Sequence, residues 1–533
     1  VNALSCATLG DVLRFHARHR PDKPAFETAG GASVTFGQFN SRVNRLCSAL
    51  GQWGLRKGDR VAVLSRNRLE YVEVFGVAKA GLVAVPLNWR LAEAELVKLL
   101  AHSAPQVLIV DEAYKEVAER LRSLLPDLRH FVLLGPEGAG REDVPGSEGS
   151  GWTGYEDLLR QAADDEPEAL VAPGDALCLV YTSGTTGAPK GVTLTHRGLL
   201  DNCNASATDV MALTEDDYSL AVLPLFHVGG MWYHLFPCFA AGCTTLLMAE
   251  FEPGALLREL QARKVTNVHV VPTMINAMLN HPLAATADLS HLRLIFYAAS
   301  SMPAELLRRA MQCFSRSGFV QSYGSTEAGM VTVLSVADHL RASKPAGEHL
   351  LSSCGRVLKE RRVRIVDDAG TELGVGEIGA ISSYCPGVMA GYWHDADATA
   401  KVLQDGWLDT GDLGYLDGEG YLYLVDRKND MVVTGGENVY PSEVEACFYQ
   451  DPAVLEAAVF GVADPRWVER VVAAVVLRPG FEADEQALMQ RIRSHLAAYK
   501  CPKDIFFTTD LPKSGAGKVL RKELRKKYGA SEL

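Results

Sequence analysis

A chain of 533 residues is too long for one ordinary hydrophobic core, so two or more domains are expected. Apolar residues make up 47% and charged residues 22%, an ordinary soluble balance, and the net charge of −12 argues against a dedicated nucleic-acid binder while leaving room for a local basic patch. Eleven cysteines lie scattered without a C-x-x-C or a zinc-like Cys/His spacing, which reads as reduced, mostly buried thiols in a cytoplasmic protein.

The start, Val1-Asn-Ala-Leu-Ser5, shows no charged stretch leading into an apolar one, so no secretory signal is read, and the final Ser531-Glu-Leu533 is not the peroxisomal Ser-Lys-Leu address. A helix is predicted over Leu9 to His19. His16 to Arg20 forms a small basic cluster, read as a solvated helix end, with weak contact to an anionic membrane as the alternative. Apolar strands are predicted at Arg60 to Ser65 and Leu82 to Pro86 with a helix, Glu70 to Ala80, between them, a βαβ pattern. Residues 136–175, rich in Gly, Pro, Asp and Glu, are predicted to be surface loops.

A buried strand is predicted over Ala176 to Val180. It leads into Tyr181-Thr-Ser-Gly-Thr-Thr-Gly-Ala-Pro-Lys-Gly191, which packs four Ser/Thr hydroxyls, three glycines and one lysine into eleven residues. Glycine lets backbone approach a ligand closely, and exposed N–H groups, hydroxyls and a lysine make a cradle for phosphate oxygens. Pro189 before Lys190 separates this loop from the usual P-loop. From Leu220 to Met248 there is no Asp, Glu, Lys or Arg, and length alone suggests a membrane span. Pro224, Gly229-Gly230, Pro237 and Gly242 break it, so strand–loop–helix–strand is expected instead.

The same grammar repeats downstream. Asn267 to Val271 is a predicted strand with a helix from Met274. Leu292 to Tyr297 is a strand with a loop at Ala298 to Ser301 and a helix from Pro303. Phe319 to Gln321 is a short strand before a loop, Ser322 to Glu327. Such units build a mostly parallel sheet, so the loops after 180, 271, 297 and 321 are expected to converge on one cleft. Beyond about 355 the texture changes to short β segments. Gly374 to Gly379 matches GxGxxG but is read as a turn, because an extended segment follows it. A charged turn, Asp426 to Asp430, marks a domain boundary, giving domains 1–427 and 428–533. The second is expected to be α+β with helices from Pro441 and near Asp484.

The phosphate-type loop is followed, in order, by Tyr323-Gly-Ser-Thr-Glu327, Gly406-Trp-Leu-Asp-Thr-Gly-Asp412, Thr434-Gly-Gly-Glu-Asn-Val-Tyr440 and Leu511-Pro-Lys-Ser-Gly-Ala-Gly-Lys518. Over nearly the whole chain this series resembles the adenylate-forming superfamily of acyl-CoA synthetases, peptide-synthetase adenylation domains and beetle luciferases. The resemblance implies an α/β fold: a large N-terminal domain of mostly parallel sheets with helices and a distorted β-barrel-like part, and a small mobile α+β C-terminal domain. It implies ATP, Mg²⁺ and CoA, and two half-reactions: an acid and ATP give an acyl-adenylate, then the C-terminal domain rotates and CoA displaces AMP. A homodimer is compatible with it.

Residue by residue, the resemblance assigns Thr182, Ser183, Gly184, Thr185, Thr186 and Lys190 to the phosphates, and Ser300, Ser322 and Tyr323 to the nucleotide, with Tyr323 stacked on adenine. Thr326 would meet the α-phosphate, Glu327 would hold Mg²⁺, and Asp412 and Arg427 would hold the ribose and phosphates. Lys518 would reach the reacting carboxylate. Gly435 and Gly436 would line the pantetheine tunnel near Trp467, and Tyr499 and Lys503 would sit by the CoA nucleotide. His227 would stand at the mouth of an acyl pocket lined by Val228, Gly229, Met231, Trp232, Ala298, Ala299, Gly324 and Met330, with Ile275 a further wall candidate. The chain departs from the pattern at three points: Asn429 at the hinge position, Val468 after Trp467, and Cys501 where some aryl-CoA ligases have arginine. The apolar pocket suits a medium- or long-chain fatty acid, with an aryl or cinnamate-type acid, or delivery to a carrier protein, as the alternatives.

Overall fold

Thr8 Oγ1 accepts from the Asp11 amide at 3.2 Å while the Asp11 carboxylate accepts from the Thr8 amide at 3.1 Å. This reciprocal cap starts helix Leu9–His19 where the sequence places it, and its Leu9, Val12 and Leu13 face is buried. The computed structural model describes residues 3–135, 151–182, 190–300, 302–427, 430–434, 437–464, 467–482, 484–496, 498–514 and 518–529.

Two large sheets carry the N-terminal part. In the eight-stranded sheet Arg60–Leu64, Val83–Pro86, Val107–Asp111 and His130–Leu134 run parallel. Helix Leu69–Phe75 and the tighter turn Gly76–Ala80 form the expected crossover. Both faces of these strands are covered, which is why they read as unbroken Val, Ile and Leu. Ala176–Thr182 joins beside Val83–Pro86 and is paired antiparallel with Lys190–Thr195. In the nine-stranded sheet Thr244–Leu247, Tyr218–Ala221, Asn267–Val270, Leu294–Tyr297 and Gly318–Ser325 are successive parallel neighbours. The charge-free 220–248 stretch is strand, helical turns and strand, as expected, and among the described residues no helix is long and apolar enough to cross a membrane.

Three expectations change. Within 136–175, Thr153–Gly154 adds an edge strand and Tyr155–Arg160 is a helix; residues 136–150 lie outside the described residues. Trp152, Tyr155, Leu158 and Leu159 are buried there, so a short apolar face outweighs the Gly- and Asp-rich surroundings. Second, Ser322 to Ser325 is not loop. Strand Gly318–Ser325 runs through it and pairs antiparallel with Gly329–Leu334. Glycine allows this close approach, since a Cβ on Gly324 would lie 2.1 Å from the Gly329 carbonyl oxygen. Third, the basic cluster is a solvated helix end only in part, with Arg18 and His19 exposed. His16 is buried with Nε2 donating to the Ala240 carbonyl at 3.1 Å, and Arg20 is paired with Glu215.

A five-stranded antiparallel sheet, built from Arg362–Val366, Gly379–Tyr384, Leu403–Gln404, Trp407–Leu416 and Leu422–Arg427, stands where the barrel-like part is expected. Gly374 to Gly379 is a turn entering its second strand, held by the Gly374 amide on Glu377 at 2.6 Å. The C-terminal part is a separate unit. A long hairpin, Val454–Asp464 with Val468–Leu477, carries one apolar cluster on each face. Helices Pro441–Tyr449 and Glu485–His495 pack on one of them and Arg521–Tyr528 on the other.

Candidate active site

Two sheets meet around Glu327. Its carboxylate Oε1 accepts from Tyr392 Oη at 3.3 Å and lies 3.5 Å from Thr182 Oγ1. Lys190 Nζ sits 4.9 Å from the centre of the Tyr392 ring. Tyr392 reaches this place because Gly391–Tyr392 pairs with Lys190–Thr195, and because the Met389 amide donates to the Glu327 carbonyl at 2.9 Å. Burial and the neighbouring Glu327 charge push the Tyr392 phenol well above its ordinary pKa, so it stays a hydrogen-bond donor. Thr182 comes from the eight-stranded sheet and Glu327 from the hairpin turn of the nine-stranded one. The strand end at Thr182 and the hairpin turn at Glu327 therefore meet directly, while Ser183, Gly184, Thr185 and Thr186 lie outside the described residues.

The five-stranded sheet supplies the second cluster. Tyr323 Oη donates to Asp412 Oδ2 at 2.7 Å, and Asp412 stands opposite Arg427 in the strand register. Tyr323 is nearly buried, so its hydroxyl orients the carboxylate in addition to any stacking by its ring. Ser322 Oγ donates to the Thr332 carbonyl at 2.9 Å, which commits that side chain to the sheet. Thr326 lies in the turn after Ser325, and Ser300 lies exposed in the bend after strand Leu294–Tyr297. In that bend Ala299 has φ +75°, a left-handed backbone that disfavours any residue with a Cβ.

On the acid side, Val228 and Gly230 are buried behind half-buried His227 and Gly229, and a Cβ on Gly230 would lie 2.6 Å from the Pro224 carbonyl. The chain then widens into a π turn, Met231–Leu235. Its loosened carbonyls find side-chain donors on the facing helix His196–Ala205 and just beyond it: Cys203 Sγ to Trp232 at 3.4 Å and Ser206 Oγ to Tyr233 at 2.6 Å. Tyr233 Oη in turn donates to the Ser325 carbonyl at 2.9 Å, tying this segment to the Glu327 hairpin. Met231 and Trp232 are fully buried, with Trp232 stacked on Phe236 at 4.6 Å, and Ile275 sits in the core on the other side of the sheet. All three expected wall residues are packed in the core. Met330 is fixed by its amide on Asn202 Oδ1 at 2.9 Å, while Ala298 packs at the core's edge and Gly324 lies in the hairpin.

Sequence reasoning missed His269. It lies on Asn267–Val270 directly opposite Phe296, and the two rings stack at 4.0 Å and 12°. Its Nδ1 is 3.1 Å from the Gly229 carbonyl. Tyr392 was also missed, because no local motif marks it.

The remaining candidates belong to the C-terminal unit. The Lys518 amide donates to Ser514 Oγ at 3.2 Å and its carbonyl accepts from the Ser514 amide at 2.7 Å. Trp467 is 40% exposed and its amide is held by Asp464 at 2.9 Å. Tyr499 and Lys503 are exposed, whereas Cys501 is buried. Gly435, Gly436 and Asn429 lie outside the described residues. All eleven cysteines are free, and among the described residues no three metal-binding side chains cluster.

A family model described as AMP-binding enzyme matches residues 13–393, and a second, AMP-binding enzyme C-terminal domain, matches residues 443–518. The chain is 39% identical over 503 residues to a feruloyl-CoA synthase of Amycolatopsis sp, covering 94% of this chain and 95% of that protein. It is 33% identical over 529 residues to a long-chain-fatty-acid–CoA ligase of Mycobacterium tuberculosis, covering 98% and 99%. The crystal structure of ATP-bound MatB from Rhodopseudomonas palustris superposes with a TM-score of 0.86 at 28% identity, covering 99% of both chains.

Proposed function

This chain belongs to the AMP-binding enzyme family and is an ATP-dependent, AMP-forming acid–CoA ligase, and we propose that the acid it activates is an aryl acid. The observation offered for the choice of acid is the buried pair of planar rings, His269 stacked on Phe296, with His269 Nδ1 against the Gly229 carbonyl two residues beyond His227. Stacked planar faces favour another ring over a flexible chain. The 39% relative named for feruloyl-CoA supports the same reading, and the 33% fatty-acid ligase supports the second one, a medium- or long-chain fatty acid.

The reaction needs two displacements. A carboxylate oxygen of the acid bonds to the α-phosphorus of ATP while the bond to the bridging oxygen breaks and pyrophosphate leaves. The CoA thiolate then bonds to the acyl carbon and AMP leaves. Carboxylate and triphosphate repel each other, so the first step needs fixed positive charge, and Lys190 and Lys518 are the lysines assigned to supply it. The donor set at Glu327, one carboxylate flanked by the Thr182 and Tyr392 hydroxyls, fits a hard cation with oxygen ligands, so Mg²⁺ held there would neutralise phosphate charge. Asp412, oriented by Tyr323, accepts from the ribose hydroxyls. His227 stands at the acid's entrance, and Trp467, Tyr499 and Lys503 offer exposed surface for CoA. We place the domain seam at 427/428, with 428–533 as the moving part. Free cysteines throughout support a cytoplasmic place.

The test is thioester formation with acids from acetate to palmitate beside benzoate, cinnamate and ferulate. An aryl acid is expected to give the highest kcat/KM. A maximum among the alkanoates would overturn the aryl assignment and leave the ligase assignment intact.

A further inference from the structure

We propose that Asn202 is a positioning residue for adenylation: its side-chain amide holds the Glu327 hairpin and the strand that carries Tyr392 at one fixed separation. The inference rests on the reading of Glu327 as the carboxylate that meets the ATP-bound cation, and not on the choice of acid. Asn202 lies on helix His196–Ala205, which follows strand Lys190–Thr195 directly and is capped by Thr195 Oγ1 on the Gly198 amide at 3.1 Å. Asn202 shares a helix face with Gly198, where a Cβ would lie 3.5 Å from the Val388 carbonyl oxygen. Its side chain is buried and bonds backbone groups from two different segments: Oδ1 accepts from the Met330 amide at 2.9 Å, and Nδ2 donates to the Gly387 carbonyl at 3.0 Å. A carbonyl oxygen only accepts and an amide N–H only donates, so one orientation of the side chain satisfies both.

The two segments are the ones that build the site. Met330 leaves the turn that carries Glu327, and Gly387 leads into Gly391–Tyr392. Both press against the Asn202 amide so closely that a side chain would collide: a Cβ on Gly329 would lie 2.8 Å from Oδ1, and one on Gly387 would lie 2.4 Å from Nδ2. Gly329 also has φ +74°, a left-handed turn that suits glycine. The Met330 carbonyl is held from the same helix by a second route, since Arg361 Nε donates to it at 2.9 Å and Arg361 pairs with Asp201. Removing the Asn202 amide strands a buried donor and a buried acceptor, one on each segment. The Tyr392–Glu327 contact, at 3.3 Å longer than an ordinary hydroxyl–carboxylate bond, has little slack to absorb a shift between them. The first displacement is the one that needs the triphosphate charge neutralised, so the loss falls on adenylation rather than on transfer to CoA.

The experiment follows three quantities: acid-dependent pyrophosphate release against Mg²⁺ concentration, MgATP binding by calorimetry without acid, and thioester formation from supplied acyl-adenylate and CoA. The proteins are the wild type, Asn202→Leu, Asn202→Ala, Glu327→Gln, Tyr392→Phe and the Asn202→Leu/Tyr392→Phe pair, with melting temperatures as a fold control. Asn202→Leu fills the space and makes neither bond. It is expected to lower kcat/KM for pyrophosphate release by roughly tenfold to a hundredfold, as a small misplacement of reacting groups does. The Mg²⁺ needed for half-maximal rate should rise and MgATP binding should weaken with it, while the supplied-adenylate step stays near wild type. Asn202→Ala, which leaves room for a water to bridge the same two groups, should show the same split at smaller size. The paired variant should lose no more than the worse of its two members, because both act on one contact. Equal loss in both half-reactions of a folded Asn202→Leu overturns the proposal, as do an unchanged Mg²⁺ requirement or additive losses in the pair. If Asn202→Leu does not fold, Asn202→Ala carries the same comparisons. An unchanged Mg²⁺ requirement in Glu327→Gln would overturn the reading of Glu327 and this proposal together. A requirement raised in Glu327→Gln but in neither Asn202 variant would overturn this proposal alone.

Discussion

Around Glu327, side chains from two sheets are already in contact, and a third sheet brings Asp412 against Tyr323 from the same hairpin. Lys518 bonds Ser514 within its own unit, whose two apolar clusters are its own. Among the described residues, ties between that unit and the rest include Ser442, whose amide donates to Asp426 at 3.1 Å and whose hydroxyl donates to the Val425 carbonyl, and Arg478, which donates to Asn280 at 3.1 Å. The difference suits a two-step reaction. Groups that hold ATP throughout belong in a stiff, preassembled place, and a lysine needed for one step belongs on a body that can be repositioned.

The largest expected effect separates the two regions outright. Lys518→Ala should lower acid-dependent pyrophosphate release by about 10²–10³-fold, the range for removing one fixed charge-stabilising donor. Thioester formation from supplied acyl-adenylate and CoA should stay near wild type. Equal loss in both assays would break the comparison.

Acid should act on the large region first. Burial lowers the pKa of His16, His196, His234 and His339 to about 4. All four lie in the N-terminal part, where they fold as neutral rings. Above the unfolded value near 6.5 neither state is protonated and their contribution is complete. As pH falls from about 6.5 towards 4 the unfolded chain takes up protons that the folded chain refuses, so stability falls by about 1.4 kcal/mol per histidine per pH unit. Melting curves followed by tryptophan fluorescence and by ATP protection should show the N-terminal transition dropping steeply over this range. A flat profile would mean that these rings can charge in place.

Asn429→Pro tests the seam itself. Fixing φ there should slow the CoA step several-fold more than adenylation in single-turnover assays. Parallel loss of both rates would put the pivot elsewhere. The smallest effect is expected at Ala299, whose φ of +75° costs roughly 1 kcal/mol that glycine would not incur. Ala299→Gly should raise the melting temperature slightly and loosen discrimination among acids, and a lowered melting temperature would show that the methyl group contributes packing worth more than the strain.

How much of this is legible in the sequence depends on how local the cause is. Helix Leu9–His19 is readable because its cap and its buried stripe lie within a dozen residues. The parallel strands are readable because burial on both faces leaves unbroken apolar runs. The Tyr323 motif misleads because Gly, Ser and Thr read as loop, while Gly324 is there to let two strands approach. Trp152 to Leu159 is obscured by the composition around it. Glu327, Thr182, Tyr323 and Asp412 stand out by motif, but their pairing does not, and Tyr392 has no motif at all. Tyr392 reaches Glu327 across 65 residues, and Tyr323 meets Asp412 across 89. His269 looks like any inward-facing strand residue until Gly229 and Phe296 are placed around it.

The most direct test of the account is to follow pyrophosphate release and CoA-thiol loss together, with and without an aryl acid. The account predicts that both depend on the acid and proceed in equal amounts. Pyrophosphate released without thiol loss would contradict it and point to an acceptor other than CoA.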